Sequence, residues 1–279
     1  MTKVSIIGTG RVGGTTAFSL AENDNISQLL LINKTKTKAE GLRADLMATF
    51  PEKGSKIIIG DHQDANDADI ILITCGQFGA PSGSSLWDVN KPIIEDIFSK
   101  VKPKQDAKVV IITTPCDRTA KLVLKITGLP ENQVIGFGGQ LDVNRLKYLI
   151  HSDMNDFSKD IDAYFVGEHG KRGIAIFDEA VSDKKKIIEN TRNFFGLYLA
   201  DYGASTFGTA NELAKLTEAL LSKNKTNLCV SYYDTSHEIF VTWPCDVNRN
   251  GVVPVDIALG DDKVKFEELI KMRQQEETS

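Results

Sequence analysis

The segment Gly8-Thr9-Gly10-Arg11-Val12-Gly13 has the residue types and spacing to hold a pyrophosphate. It follows an apolar run from Lys3 and opens a helical pattern, the context in which Gly-x-Gly-x-x-Gly binds dinucleotides. Gly8 permits the tight turn. Gly10 lets phosphate approach the backbone, and Gly13 lets helix and sheet pack closely. The helix N-terminus adds unpaired N–H groups and the positive end of a dipole. Twenty residues beyond Gly13, where an acid usually holds the adenine ribose hydroxyls, stands Asn33, followed by Lys34, Lys36 and Lys38. An uncharged amide removes repulsion toward a 2′-phosphate and the lysines attract one. Equally, Asn33 can bond the ribose while the lysines form a solvated helix start. NAD and NADP both remain open. The candidate cofactor residues are Gly8, Gly10, Arg11, Val12, Gly13, Asn33, Lys34 and Gly76. No metal site is expected.

Two further segments follow in order. One is Val134-Ile135-Gly136-Phe137-Gly138-Gly139-Gln140-Leu141-Asp142-Val143-Asn144-Arg145, and the other is Gly167-Glu168-His169-Gly170. With the phosphate loop they resemble the lactate/malate dehydrogenase family, over a span from Val4 to Pro254. The resemblance implies an oxidoreductase moving hydride between NAD(P) and a small L-2-hydroxy acid or 2-oxo acid. It makes His169 the general acid/base, suited by a pKa near neutrality. It makes Asp142 the partner that fixes the His169 tautomer. Arg145 is implied as the two-pronged holder of the substrate carboxylate. Asp142 and Arg145 are three apart, so they share one face of a predicted helix. His62, His151 and His237 have no such company and are expected to be surface or packed residues.

The chain also departs from that family. The loop after the strand 69–74 reads Gly76-Gln77-Phe78-Gly79-Ala80-Pro81-Ser82-Gly83-Ser84-Ser85-Leu86-Trp87-Asp88. In the family such a loop closes over substrate and carries a carbonyl-polarising arginine. Here no Lys or Arg occurs between Ile57 and Asn90. Thr114, before Pro115, stands where the family has an asparagine that bonds substrate, and offers fewer hydrogen bonds. Ser205 is placed where the family lines the substrate pocket with a small or hydroxyl residue. The stretch between His169 and Gly203 is short for the family, which implies a trimmed helix or loop in the second domain. Arg172 could point inward in place of the missing arginine; the simpler expectation is an exposed guanidinium beside Lys171. Phe78, Leu86 and Trp87 would suit an apolar tail, which favours monocarboxylic substrates. The alternative is a catalytically weakened dinucleotide-binding relative acting as a sensor or partner protein.

The elements that must position these residues read as alternating strands and helices. Short Ile/Val/Leu runs at 3–8, 28–33, 56–60, 69–74, 107–113 and 133–137 have the pattern of strands buried on both faces. Helical patterns lie at 11–23, 36–49, 88–101, 117–127 and 141–150. That alternation predicts an α/β fold with a Rossmann-type doubly wound parallel sheet. An α+β substrate domain follows, with strands 161–167 and 173–178, helices 184–201 and 207–222, and an antiparallel pair 226–234/238–245. Asn250-Gly251 is a turn signal. A charged helix, 261–279, ends in residues 274–279 that are expected to fray. The expected division is 1–152 for dinucleotide binding and 153–279 for substrate and catalysis.

Composition bounds the rest. The chain has 279 residues, 41% hydrophobic and 25% charged, the balance of a globular protein. Its net charge of -5 gives no general attraction to nucleic acid or anionic membrane. No leader pattern and no apolar run of bilayer length is expected to direct or anchor it, and Cys75, Cys116, Cys229 and Cys245 are scattered. A cytoplasmic homodimer or homotetramer with a small-molecule substrate is the resulting expectation.

Overall fold

A computed structural model describes residues 2–197, 203 and 205–278. Six strands form the parallel part of the main sheet. They are β1 (Lys3–Ile7), β2 (Gln28–Ile32), β3 (Ile57–Ile59), β4 (Ile70–Ile73), β5 (Lys108–Ile111) and β6 (Val134–Gly136). Their spatial order is β6-β5-β4-β1-β2-β3, the doubly wound order, with its reversal between β1 and β4. Ligands bind beyond the strand C-termini at such a reversal. The continuous apolar runs have a direct cause. Leu29 and Leu31 of β2 face one buried layer, while Leu30 and Ile32 face the other. Both faces of the sheet are therefore covered, so no polar alternation is needed.

Helices α1 (Arg11–Ala21), α2 (Lys36–Thr49), α3 (Leu86–Lys100) and α4 (Cys116–Thr127) cross between these strands. Helix α3 starts two residues before its expected first residue. Ser85 and Asp88 cap each other's backbone there, a reciprocal box that makes Leu86 the first helical residue. Helix α5 (Gly139–Met154) is longer than expected at both ends.

The sheet does not end with the parallel strands. Strand β9 (Thr226–Asp234) pairs antiparallel with β6 through Ser231 and Gly136. Strands β10 (Ile239–Asn248) and β11 (Gly251–Pro254) extend it to nine strands. Joining to β6 covers an edge that would otherwise expose unpaired backbone groups. The antiparallel pair expected in the second half therefore belongs to the same sheet as the dinucleotide half. The division expected at 152/153 falls in the last turn of α5.

The remaining strands, β7 (Ala163–Val166) and β8 (Ile174–Phe177), form a separate antiparallel pair. Gly167 ties this pair to β10: its N–H donates to the Thr242 carbonyl at 2.8 Å. Helix α6 (Lys184–Asn193) stops short of the expected 184–201, with a turn at Phe194 and Phe195. Residues 198–201 of that expected helix lie outside the described residues, as do Ala204 and Ser279. Helix α7 (Phe207–Leu221) packs against α1. Helix α8 (Lys263–Thr278) runs through the segment expected to fray. Its last turns are held by side chains described below.

Candidate active site

The phosphate loop has the geometry its glycines require. Gly8 has φ +109°, and a Cβ there would lie 2.6 Å from the Cys75 nitrogen at the end of β4. A Cβ on Gly13 would lie 2.0 Å from the Gly8 carbonyl oxygen. Over Gly10, by contrast, a Cβ would meet no atom within 4 Å. Two glycines are thus needed for packing, and the third leaves open space at the N-terminus of α1. No side chain caps that helix and no acid lies in its first turn. A pyrophosphate fits this arrangement of open backbone and uncompensated N–H groups. Val12 is buried in the core, so only its backbone faces the loop. Arg11 is exposed and extends toward Gly203, where a Cβ would lie 2.6 Å from its Nη1.

Asn33 is already committed to local bonds. Its Nδ2 donates to Thr9 Oγ1 at 2.8 Å, and its Oδ1 accepts from the Thr35 N–H at 2.9 Å. It therefore ties the end of β2 to the phosphate loop. Lys34, Lys36 and Lys38 are exposed beside it. Gly76, with φ +155°, lies just beyond β4, and a Cβ there would meet Thr113 Cγ2 at 2.9 Å.

The acid/base trio expected from two distant segments comes together. Asp142, 1% exposed on the first turn of α5, accepts from three donors. His169 Nδ1 is 2.5 Å from its Oδ2, the Gly170 N–H donates to the same oxygen at 3.0 Å, and Arg145 Nη1 donates to Oδ1 at 2.9 Å. An acceptor at Nδ1 puts the proton on that nitrogen and leaves Nε2 for proton exchange. Burial in the cleft disfavours the charged ring. The Asp142 charge and hydrogen bond outweigh this, against an opposing contribution from Arg145, so the His169 pKa lies above its ordinary value.

Glycine also makes room for the ring. Gly138 has φ +139°, and a Cβ there would lie 2.4 Å from His169 Cγ and Cδ2. The Gly138-Gly139 pair was visible in the sequence, but nothing in it announced a contact with a histidine 31 positions later. Asn90 was missed altogether. It is 1% exposed on α3. Its Oδ1 accepts from the Gln77 N–H at 2.7 Å, and its Nδ2 donates to the Thr114 carbonyl at 2.7 Å. It thereby joins the start of the Ser/Gly-rich loop to the residue before Pro115. A polar side chain inside an amphipathic helical pattern gave no signal of this role.

A cavity of 470 Å³ opens beside His169. Thr114, Leu86 and Trp87 line it with His169, and so does Arg118, stacked over Trp87 at 4.5 Å. Phe78, expected with Leu86 and Trp87 around a substrate tail, is instead 71% exposed. Ser205 lies just before α7, where a Cβ on Gly208 would meet Ser205 Oγ at 3.7 Å and Leu141 Cδ2 at 3.9 Å. That places it near the residue preceding Asp142.

Arg172 is neither free to reach inward nor simply solvated. It is clamped by Glu168, at 2.5 and 2.6 Å, and by Glu276 of α8, at 2.5 and 3.0 Å. The same contacts hold Glu276 in place, within the segment expected to fray. Glu277 also pairs with Lys121, and Gln274 donates to the His237 carbonyl.

The other expectations are simpler. Cys116, Cys229 and Cys245 are buried free thiols, and burial raises the pKa of Cys75 to about 11 and of Cys116 to about 12. His62 is held below its ordinary pKa by burial and by Lys100. His151 bonds the Asp156 carbonyl, and His237 pairs with Asp234. Among the described residues no group of three or more His, Cys, Asp and Glu side chains could hold a metal. No described helix is long and apolar enough to cross a membrane.

Residues 2–136 match the family model for the NAD binding domain of lactate/malate dehydrogenase. An L-lactate dehydrogenase from Priestia megaterium is 31% identical over 277 residues, covering 90% of this chain and 87% of its own. The chain belongs to the lactate/malate dehydrogenase family. L-lactate dehydrogenase 2 from Lactiplantibacillus plantarum is 32% identical, with 94% and 92% of the two chains covered. Among solved structures, malate dehydrogenase from Archaeoglobus fulgidus in complex with NADH superposes with a TM-score of 0.86. It is 27% identical and covers both chains fully. A lactate dehydrogenase from a Medee basin deep-sea metagenome library has a TM-score of 0.88 at 23% identity, covering 99% and 98%, and supports the shared fold. The family's fold and its NAD binding domain thus account for the doubly wound sheet and the phosphate loop. The protein is an oxidoreductase of the lactate/malate dehydrogenase type.

Proposed function

We propose that this protein interconverts a small L-2-hydroxy acid and its 2-oxo acid with NAD, and that monocarboxylic substrates are favoured. One observation carries this reading: the Asp142 carboxylate holds both the His169 ring and the Arg145 guanidinium. A single buried anion thus orients a proton donor and a carboxylate-binding cation side by side.

A dinucleotide held at the Gly8–Gly13 loop would supply the hydride for reduction of the carbonyl carbon. His169, protonated at both nitrogens, gives its Nε2 proton to the carbonyl oxygen, and Asp142 stabilises the imidazolium beforehand. Arg145, held by Asp142, orients the substrate carboxylate through its guanidinium. Thr114 offers a hydroxyl at the cavity wall. In the oxidising direction neutral His169 takes the hydroxyl proton at Nε2.

The lean toward a monocarboxylate rests on the loop without Lys or Arg, although Arg118 shares the cavity wall with Leu86 and Trp87. The same loop lacks a cation for the developing oxyanion. Losing one positioned donor costs about 2.7–4 kcal/mol, or 10²–10³ in rate. It therefore supports the second reading, a weakened dinucleotide-binding relative acting as a sensor or partner. For the cofactor, the bonds Asn33 already makes to Thr9 and Thr35 support a structural role for its amide. The exposed lysines nearby keep NADP use within this proposal.

The test follows absorbance loss of NADH and of NADPH with pyruvate, oxaloacetate and bulky apolar 2-oxo acids. Fastest turnover with a monocarboxylate and NADH is expected. Faster turnover of oxaloacetate would overturn the substrate preference, and preference for NADPH would overturn the cofactor assignment. Cofactor binding with no turnover of any acid would favour the weakened relative.

A further inference from the structure

Helix α8 contributes a buried cation to the back of the site. Arg273 is 4% exposed, although it lies in the charged tail of the chain. Its Nη1 donates to the Gly167 carbonyl at 2.8 Å, and its Nη2 lies 2.9 Å from Asp117 Oδ2. Its Nε is 3.8 Å from Glu168 Oε1. Each contact falls on a segment that carries a site residue. Gly167 and Glu168 directly precede His169, and Asp117 lies three residues after Thr114.

The carboxylate it faces needs that charge. Asp117 is 7% exposed, and burial pushes its carboxyl pKa up while Arg273 pulls it back. The Gly167 carbonyl is similarly placed. It sits at φ +93°, where the chain leaves β7, and a Cβ there would meet Leu269 Cδ2 of α8 at 2.5 Å. Helix α8 therefore touches this turn through both an apolar and a charged residue. Glu276 and Glu277 add outer ties, to Arg172 and to Lys121 of α4.

We propose that Arg273 is a positioning residue for proton transfer: from α8 it fixes the Gly167-Glu168-His169 turn against the start of α4, so that His169 and Thr114 keep one relative placement. This rests on the dehydrogenase reading above. It extends that reading to a part of the chain remote from the phosphate loop and from the Asp142–Arg145 helix. A planar guanidinium suits the task because one edge donates to a carbonyl while its delocalised charge faces a carboxylate. An ammonium can keep the charge but holds that fork less well.

The experiment compares wild type with Arg273→Lys, Arg273→Met and the double variant Asp117→Asn/Arg273→Met. Readouts are kcat and KM with the best 2-oxo acid, NADH binding by fluorescence, and thermal unfolding. The double variant removes the buried carboxylate charge with its partner, so it separates positioning from a folding defect. A displacement of about 1 Å costs roughly 10²-fold in rate. We expect kcat to fall by about 10- to 100-fold in both Met variants, with NADH binding intact and partial recovery in Arg273→Lys. Lys265→Ala, on the exposed start of α8, should leave kcat unchanged. Folded Met variants with wild-type kcat would overturn the proposal while leaving the dehydrogenase reading standing. Equal losses of NADH binding and kcat would also overturn it, because they indicate a global defect. A wild type that binds NADH but reduces no 2-oxo acid would overturn the dehydrogenase reading, and this proposal with it.

Discussion

At the scale of single residues, the site is organised around the charge of Asp142. Its carboxylate is buried, yet three donors satisfy it, which is the condition under which a buried anion is tolerable. Burial opposes charging of His169, and Asp142 raises its pKa above the ordinary value despite that. The sign follows directly. Reduction needs the protonated ring, so its rate should fall as pH rises through the raised pKa. Oxidation needs the neutral ring and should rise over the same interval. Asp142→Asn removes the charge that holds the pKa up. We expect the falling limb of the reduction profile to move to lower pH, with kcat reduced by about 10²- to 10⁴-fold. A pH–rate profile of the variant checks this, and an unmoved limb would contradict the assignment. Much of this trio was legible, because its residue types sit in two distinctive segments. The contact itself was not, since a separation of 27 positions is bridged only by the fold. Arg172 shows the limit from the other side. Its partner Glu168 was near in sequence, but Glu276 comes from the chain's far end.

At the scale of elements, strand and helix placement was the most legible part. Leu29 to Ile32 alternate between two buried layers, so their continuous apolar pattern had one reading. Cap chemistry refined it: the Ser85–Asp88 box started α3 early, and such a motif can be read in advance. Asn90 could not be, because its meaning depends on two loops that meet only in space. It holds the beginning of the Ser/Gly-rich loop and the backbone of Thr114 together. Asn90→Ala leaves the Gln77 N–H without its partner, a loss of about 1–3 kcal/mol. We expect a lower unfolding temperature and a higher KM for the 2-oxo acid, with a smaller change in the KM for NADH. Unchanged substrate kinetics in a destabilised variant would restrict Asn90 to a folding role. Helix α8 forms where the sequence predicts it, and side-chain contacts hold it as far as Glu277. Charge density along a terminal segment suggests solvation, and here the charges of Arg273, Glu276 and Glu277 face partners instead.

At the scale of the whole molecule, one sheet joins both halves of the chain. The parallel strands set the crevice between β1 and β4, and β9 to β11 extend the same sheet past β6. The His169 turn is therefore braced from three sides: by Asp142 on α5, by Thr242 on β10 and by Arg273 on α8. Strands β9 and β10 lie in the segment expected to serve substrate, yet they share the sheet of the dinucleotide half. Local pattern shows that a strand forms; it does not say which edge the strand joins. The proposed reaction at the assembled site depends on His169 carrying the proton as hydride is transferred. The most direct measurement is single-turnover oxidation of NADH by a 2-oxo acid, comparing wild type with His169→Ala at equal cofactor saturation. Unchanged NADH binding and a rate at least about 10²-fold lower are expected in the variant. Equal rates for the two proteins would contradict that role of His169.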